Sequence, residues 1–82
     1  MIPKIRNVKP LENYTLHVIF DDGKEVIYDV EDDIETIRSY EALKGVSGLF
    51  NHVQLDQSRT IVFWNDEIDL PSDIIYEYGK QI

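Results

Sequence analysis

The chain has 82 residues, 43% of them hydrophobic and 29% charged, and a formal net charge of −8. That length suits a single domain over residues 1–82, with a core hiding about 60–65% of the unfolded surface. Cysteine is absent, which excludes disulfides, thiolate nucleophiles and thiolate metal ligands and fits a cytoplasmic setting.

The first ten residues, MIPKIRNVKP, lack the apolar run of a signal peptide. No stretch approaches the roughly 20 apolar residues that a membrane span needs. The eight basic residues are spread from Lys4 to Lys80. Phosphate backbones bind clustered Lys and Arg, so neither a nucleic acid nor a membrane is the expected partner. The acidic balance favours solubility. Its sharper implication is an acidic face for a basic protein partner, with homo-oligomerisation left open.

Lys4 to Lys9, between Pro3 and Pro10, reads as a first strand, since proline is tolerated at strand ends and edges. Tyr14 to Phe20 (YTLHVIF) reads as a second, with Tyr14, Leu16, Val18 and Phe20 on one face. A two-residue loop after it would bury Asp29 opposite Leu16. A loop of Asp21, Asp22 and Gly23 instead pairs Val18 with Val26, Leu16 with Tyr28 and Tyr14 with Val30. That loop needs a left-handed third residue, the structural role expected of Gly23.

Glu31-Asp32-Asp33 opens a mid-chain helix, because acidic side chains suit a first turn. Asp32 with Glu35 resembles a capping pair. Ile34, Ile37 and Leu43 are spaced for one buried face. Ser39 interrupts, and a short turn from Tyr40 to Lys44 ends at Gly45.

Val53 and Leu55 alternate with His52, Gln54 and Asp56, and Thr60 to Trp64 is β-branched and aromatic. A three-residue loop, Gln57 to Arg59, pairs Leu55 with Ile61 and Val53 with Phe63. An Asn65-Asp66 turn then pairs Phe63 with Ile68 and Ile61 with Leu70, all four facing the core. Val62, Trp64, Glu67 and Asp69 fall on the other face. Pro71, with Ser72 or Asp73 as cap, starts a C-terminal helix with an Ile74, Ile75 and Tyr78 stripe and a stop at Gly79. The fold class is α+β, a small antiparallel sheet built from hairpins with a mid-chain and a C-terminal helix.

Two expectations follow for function. On this register Val62 and Trp64 lie opposite the core, either exposed or covered by the last helix. If exposed, they form with Tyr28 and Tyr76 a partner-binding patch, to which Tyr40 and Tyr78 add aromatic surface. Asp69 is then the outward half of a strand with a structural role, able to accept from the free N–H groups around Ser72 and Asp73. The alternative is a small enzyme or a divalent-metal-dependent activity using Asp66, Glu67, Asp69 and Asp73. Their spacing lacks the pattern of a calcium loop, and the four glycines form no phosphate cradle. His17 and His52, the only histidines, fall on non-core faces without a nucleophile turn. No catalytic residue, metal or cofactor is therefore expected.

The order of segments resembles the small bacterial domain-of-unknown-function 2442 family. The matching stretches are VKPLENYTLHVIFDDGKEVIYDV (8–30), YEALKGVSGLFNHVQLD (40–56) and TIVFWNDEIDLPSDIIYE (60–77). The most specific parts are Phe20-x-Asp22-Gly23, the Leu49-Phe50 pair, and Trp64 followed by Ile68-Asp69-Leu70. Asp66-Glu67 replaces what in many relatives is a turn containing Gly. The resemblance implies an α+β domain with antiparallel hairpins and brings no established active-site residues. Some members are encoded beside a small toxin-like protein, and some longer ones carry a helix-turn-helix domain, which is not expected within these 82 residues. The resulting expectation is a non-enzymatic protein-binding module, the antitoxin-like partner of a small toxin-like protein encoded by a neighbouring gene.

Overall fold

Two antiparallel sheets carry the chain, seen in a computed structural model that describes residues 2–82. The first holds β1 (Ile5–Leu11), β2 (Thr15–Phe20), β3 (Glu25–Asp29) and the late strand β7 (Lys80–Gln81), in the order β1-β2-β3-β7. The second holds β4 (Gln54–Leu55), β5 (Ile61–Asn65) and β6 (Ile68–Pro71), with β5 central. Between them in sequence lie α1 (Glu31–Thr36), a 3-10 turn over Arg38–Glu41, α2 (Ala42–Gly45) and a 3-10 turn over Leu49–His52; α3 (Ser72–Tyr78) follows β6. The fold is α+β. One cluster of buried side chains draws on both sheets, from Leu16, Val18, Phe20 and Val26 to Val62, Trp64, Ile68 and Leu70.

The β2–β3 hairpin follows the alternation of its sequence. Leu16 pairs with Tyr28 and Val18 with Val26, and Val30 N–H donates to the Tyr14 carbonyl (3.0 Å). Phe20 and Lys24 close the three-residue loop, within which Gly23 has φ 92°. At the edge, β1 runs through Pro10, which the missing N–H permits there.

The second sheet corrects the expected register. Gln54 pairs with Phe63 and Leu55 with Val62, one residue off the expected pairs. The cause is Asp56. Its carboxylate accepts from Thr60 N–H, Ile61 N–H (both 3.2 Å) and the Ser58 hydroxyl (2.7 Å). Its own N–H donates to the Ile61 carbonyl. The loop therefore has one residue more than expected, with Arg59 left-handed at φ 60°.

The next turn shifts as well. Asn65 ends β5 and its side-chain oxygen accepts from Glu67 and Ile68 N–H (2.8 and 3.0 Å), so Asp66-Glu67 is the turn. An irregularity between Phe63 and Asn65 gives the pairs Val62 with Leu70 and Phe63 with Asp69. Val62, Trp64, Ile68 and Leu70 are buried, while Ile61 and Phe63 are half-buried.

The helical expectations need four corrections. Asp29, rather than an Asp32–Glu35 pair, accepts from the first N–H of α1, on Glu31 (2.9 Å). Ile37 is exposed although Ile34 and Leu43 are buried. Tyr78 is 70% exposed and leaves the α3 stripe to Ile75, with Ile74 half-buried. Pro71 is the N-cap position of α3 and neither candidate cap fills it: the Ser72 hydroxyl donates to the Pro3 carbonyl (2.6 Å), and Asp73, inside the first turn, accepts from the Ile74 N–H (2.9 Å).

Gly79 does end α3, for a reason the sequence did not display. A Cβ there would sit 2.6 Å from the Ile75 carbonyl oxygen and 2.7 Å from a Val26 methyl. Bare backbone at Gly79 lets the chain pass β3 closely enough for β7 to pair with Val26 and Ile27.

Candidate functional site: two clefts at the ends of one hairpin

Trp64 and Val62 are 4% and 0% exposed, and Tyr28 is 6% exposed. The aromatic patch that their exposure would have formed does not arise: β5 turns Val62 and Trp64 inward, and Tyr28 lies on the buried face of β3 opposite Leu16. Trp64 stacks on Phe50 (centroids 5.8 Å apart), lies near Tyr40, and donates its indole N–H to the Phe50 carbonyl (3.0 Å). Its cover is thus the mid-chain segment. Tyr40 is buried too and donates its hydroxyl to the Asp69 carbonyl, capping the outer edge of β6. Burial, with the nearby charges of Asp33 and Asp69, pushes the Tyr40 phenol up to about 12. Tyr28 is raised further, by burial and by its 2.6 Å hydrogen bond to Asp33.

Asp69 points outward, as strand period requires. Its carboxylate makes no hydrogen bond to the start of α3; the helix-facing part of its expected role is not seen, and the residue contributes its carbonyl instead. Asp66, Glu67, Asp69 and Asp73 are all exposed, and no group of His, Asp or Glu able to hold a metal is found among the described residues. His17 bonds Glu25 across the hairpin (2.9 Å), and His52 is exposed in a 3-10 turn rather than on a strand.

Two clefts lie at opposite ends of β2. The smaller, about 440 Å³, includes Pro3, Phe20 and Tyr76, which unlike Val62, Trp64 and Tyr28 reaches the surface. Phe20 meets Tyr76 edge-on at 4.9 Å, and the Lys24 ammonium sits 3.9 Å over the Tyr76 ring. The Tyr76 hydroxyl donates to Asp22 (2.7 Å), which holds that carboxyl below its usual range and raises the phenol. Arg59 donates both arms of its guanidinium to Asp21 (2.8 Å each) and holds that carboxyl low, with Arg6 and Lys4 adding charge. Four of the eight basic residues, scattered in sequence, therefore gather about two carboxylates. Across the rest of the chain four cations face fourteen carboxylates.

The larger cleft, about 660 Å³, opens at the other end, between the Glu12–Tyr14 turn and residues 43–51. Asn13 and Tyr14 are both left-handed (φ 60° and 57°), as is Gly48 (φ 80°). Consecutive non-glycine residues in that region are uncommon, and they persist only where surroundings over-determine them. Tyr14 meets Phe50 edge-on at 5.3 Å and carries the Lys44 ammonium 5.2 Å from its ring centroid. Lys44 also bonds Glu31 (3.1 Å), which raises its pKa. Leu11 and Val46 are exposed on the cleft wall. Sequence reading passed over Asn13, Lys44 and Gly48; the Gly48 before Leu49-Phe50 was the one local signal of a turn.

No helix among the described residues is long and apolar enough to cross a membrane. Neither a curated protein nor a solved structure matches the chain. A family model, described as protein of unknown function DUF2442, does match over residues 5–81. With nearly the whole chain covered, the protein belongs to that family.

Proposed function

We propose that the chain is a non-enzymatic protein-binding module of the cytoplasm whose partner presents a basic surface. The observation that supports this reading is the segregation of charge. Gathering Lys4, Arg6, Lys24 and Arg59 at one end leaves the rest of the surface more acidic than the net charge of −8 suggests. Complementary potentials of this kind steer encounter and reject like-charged partners. In its finer form the partner is a small toxin-like protein encoded by a neighbouring gene, and the chain is its antitoxin-like counterpart.

The test is co-expression with the product of the adjacent gene, followed by calorimetry on the purified pair at low and high salt. The expected result is a defined complex whose affinity falls as salt rises. A failure to associate at low salt, or association indifferent to salt, overturns the reading.

A further inference from the structure

We infer that the cleft between the Glu12–Tyr14 turn and residues 43–51 docks a basic, apolar segment of a partner protein. A lysine or arginine of that segment takes the place over the Tyr14 ring that Lys44 holds. This rests on the protein-binding reading above and assigns it a site.

The cleft already shows which ligand chemistry it accommodates. An ammonium group lies over an aromatic ring with a carboxylate 3.1 Å away, and both partners of that pair are about 40% exposed. Lys44 can therefore exchange the ring and Glu31 for water with little else disturbed. Glu12 is on the wall, and Glu31 and Glu35 act on Lys44, so a Lys44 side chain that swings into water leaves carboxylates to receive an incoming cation. Leu11, 36% exposed, and Val46, 53% exposed, offer apolar wall to the neighbouring residues of such a segment. Behind Tyr14 stands the buried row of Phe50 and Trp64, which fixes the ring that receives the cation.

Gly45 supplies a clean means of closing the cleft. It is exposed, its backbone is not left-handed, and a Cβ added there would meet nothing within 4 Å. A leucine at 45 projects into empty space rather than into the core.

The experiment titrates the protein with a short peptide alternating leucine and arginine, and with its leucine–glutamate counterpart, read by amide shifts and by calorimetry. Saturable binding of the arginine peptide alone, with shifts at Tyr14, Lys44, Val46 and Asn51, supports the site. Gly45→Leu is expected to weaken binding about tenfold at unchanged stability. Lys44→Ala is expected to tighten it about threefold by vacating the ring; Lys80→Ala, which removes the same charge elsewhere, does not match that gain. Binding that ignores Gly45→Leu, or shifts that cluster at the Tyr76 cleft, overturns the site and leaves the basic-partner reading standing. Loss of affinity in Lys44→Ala overturns the exchange of cations over Tyr14. Equal binding of both peptides, or of neither, overturns the basic-partner reading and the site with it.

Discussion

The two sheets differ in how their strands mark inside from outside. In β2, Leu16, Val18 and Phe20 are buried while Thr15, His17 and Ile19 are half-exposed, and the polar members identify the outer face. In β5, Ile61, Val62, Phe63 and Trp64 are apolar on both faces. A period of two cannot choose between faces when both carry the same kind of residue. The choice then passes to the turns, and one residue more in a loop inverts every side chain of the strand.

The sharpest test of that inversion compares neighbours on β5. Trp64→Ala is expected to cost about 3–5 kcal/mol, since it removes a buried ring, its stack on Phe50 and an indole hydrogen bond. Phe63→Ala, at a half-buried position facing Asp69, should cost well under that range. Urea midpoints decide it, and a greater loss at Phe63 would restore the opposite face. On the first sheet, Leu16→Ala should cost about 2–4 kcal/mol as a plain core truncation. An unchanged midpoint there would break the contrast from the other side.

Turn chemistry explains what could be read beforehand. Asp21-Asp22-Gly23 places glycine at the one left-handed position of its loop, so parity and turn type agreed. Gly23→Val should therefore destabilise by about 1–2 kcal/mol through backbone strain alone, as its Cβ would meet nothing within 4 Å. A neutral denaturation titration would contradict the turn. Asn13, Tyr14 and Arg59 take the same left-handed region without glycine. Local preference argues against that conformation in Tyr and Arg, so tertiary packing decides it. Tyr14 is held against Phe50, and Arg59 is tied to Asp21 from the other sheet. The larger cleft stands on the first of these turns, and for that reason it was illegible. The short strand β7 was hidden differently, since two residues carry no period and its pairing depends on the close pass at Gly79.

The tyrosines that join the mid-chain segment to the two sheets give a further, smaller effect. Tyr40→Phe removes the hydroxyl donated to Asp69 and should cost about 1 kcal/mol near neutral pH. In the folded protein the Tyr40 phenol is raised from 10.0 to about 12, and Tyr28 higher still. The folded state thus keeps protons that the unfolded chain releases, so the Tyr40 contribution is full below pH 10 and is lost as pH rises through about 12, while that of Tyr28 goes on falling at higher pH. Urea midpoints measured across that window should fall, and Tyr40→Phe should fall less steeply. Equal slopes would mean that Tyr40 does not hold its proton through the fold.

The smallest expected effect is at Asp69, where the two sheets can be compared through a single charge. On the first sheet the acidic turn residues Asp21 and Asp22 are each bound by protein donors. The Asp69 carboxylate faces solvent, and its residue serves the fold through a carbonyl that any substitution retains. Asp69→Asn should therefore change stability by no more than about 0.5 kcal/mol, as surface replacements usually do. The same substitution should leave binding of a basic partner within about twofold, one screened charge among fourteen outside the basic end. Denaturation midpoints of wild type and Asp69→Asn, each with and without Ca²⁺ or Mg²⁺, are the decisive pair. Strong stabilisation of wild type by a divalent cation, absent in the variant, would turn Asp69 from an outward strand position into a ligand and reopen the acidic cluster as a site.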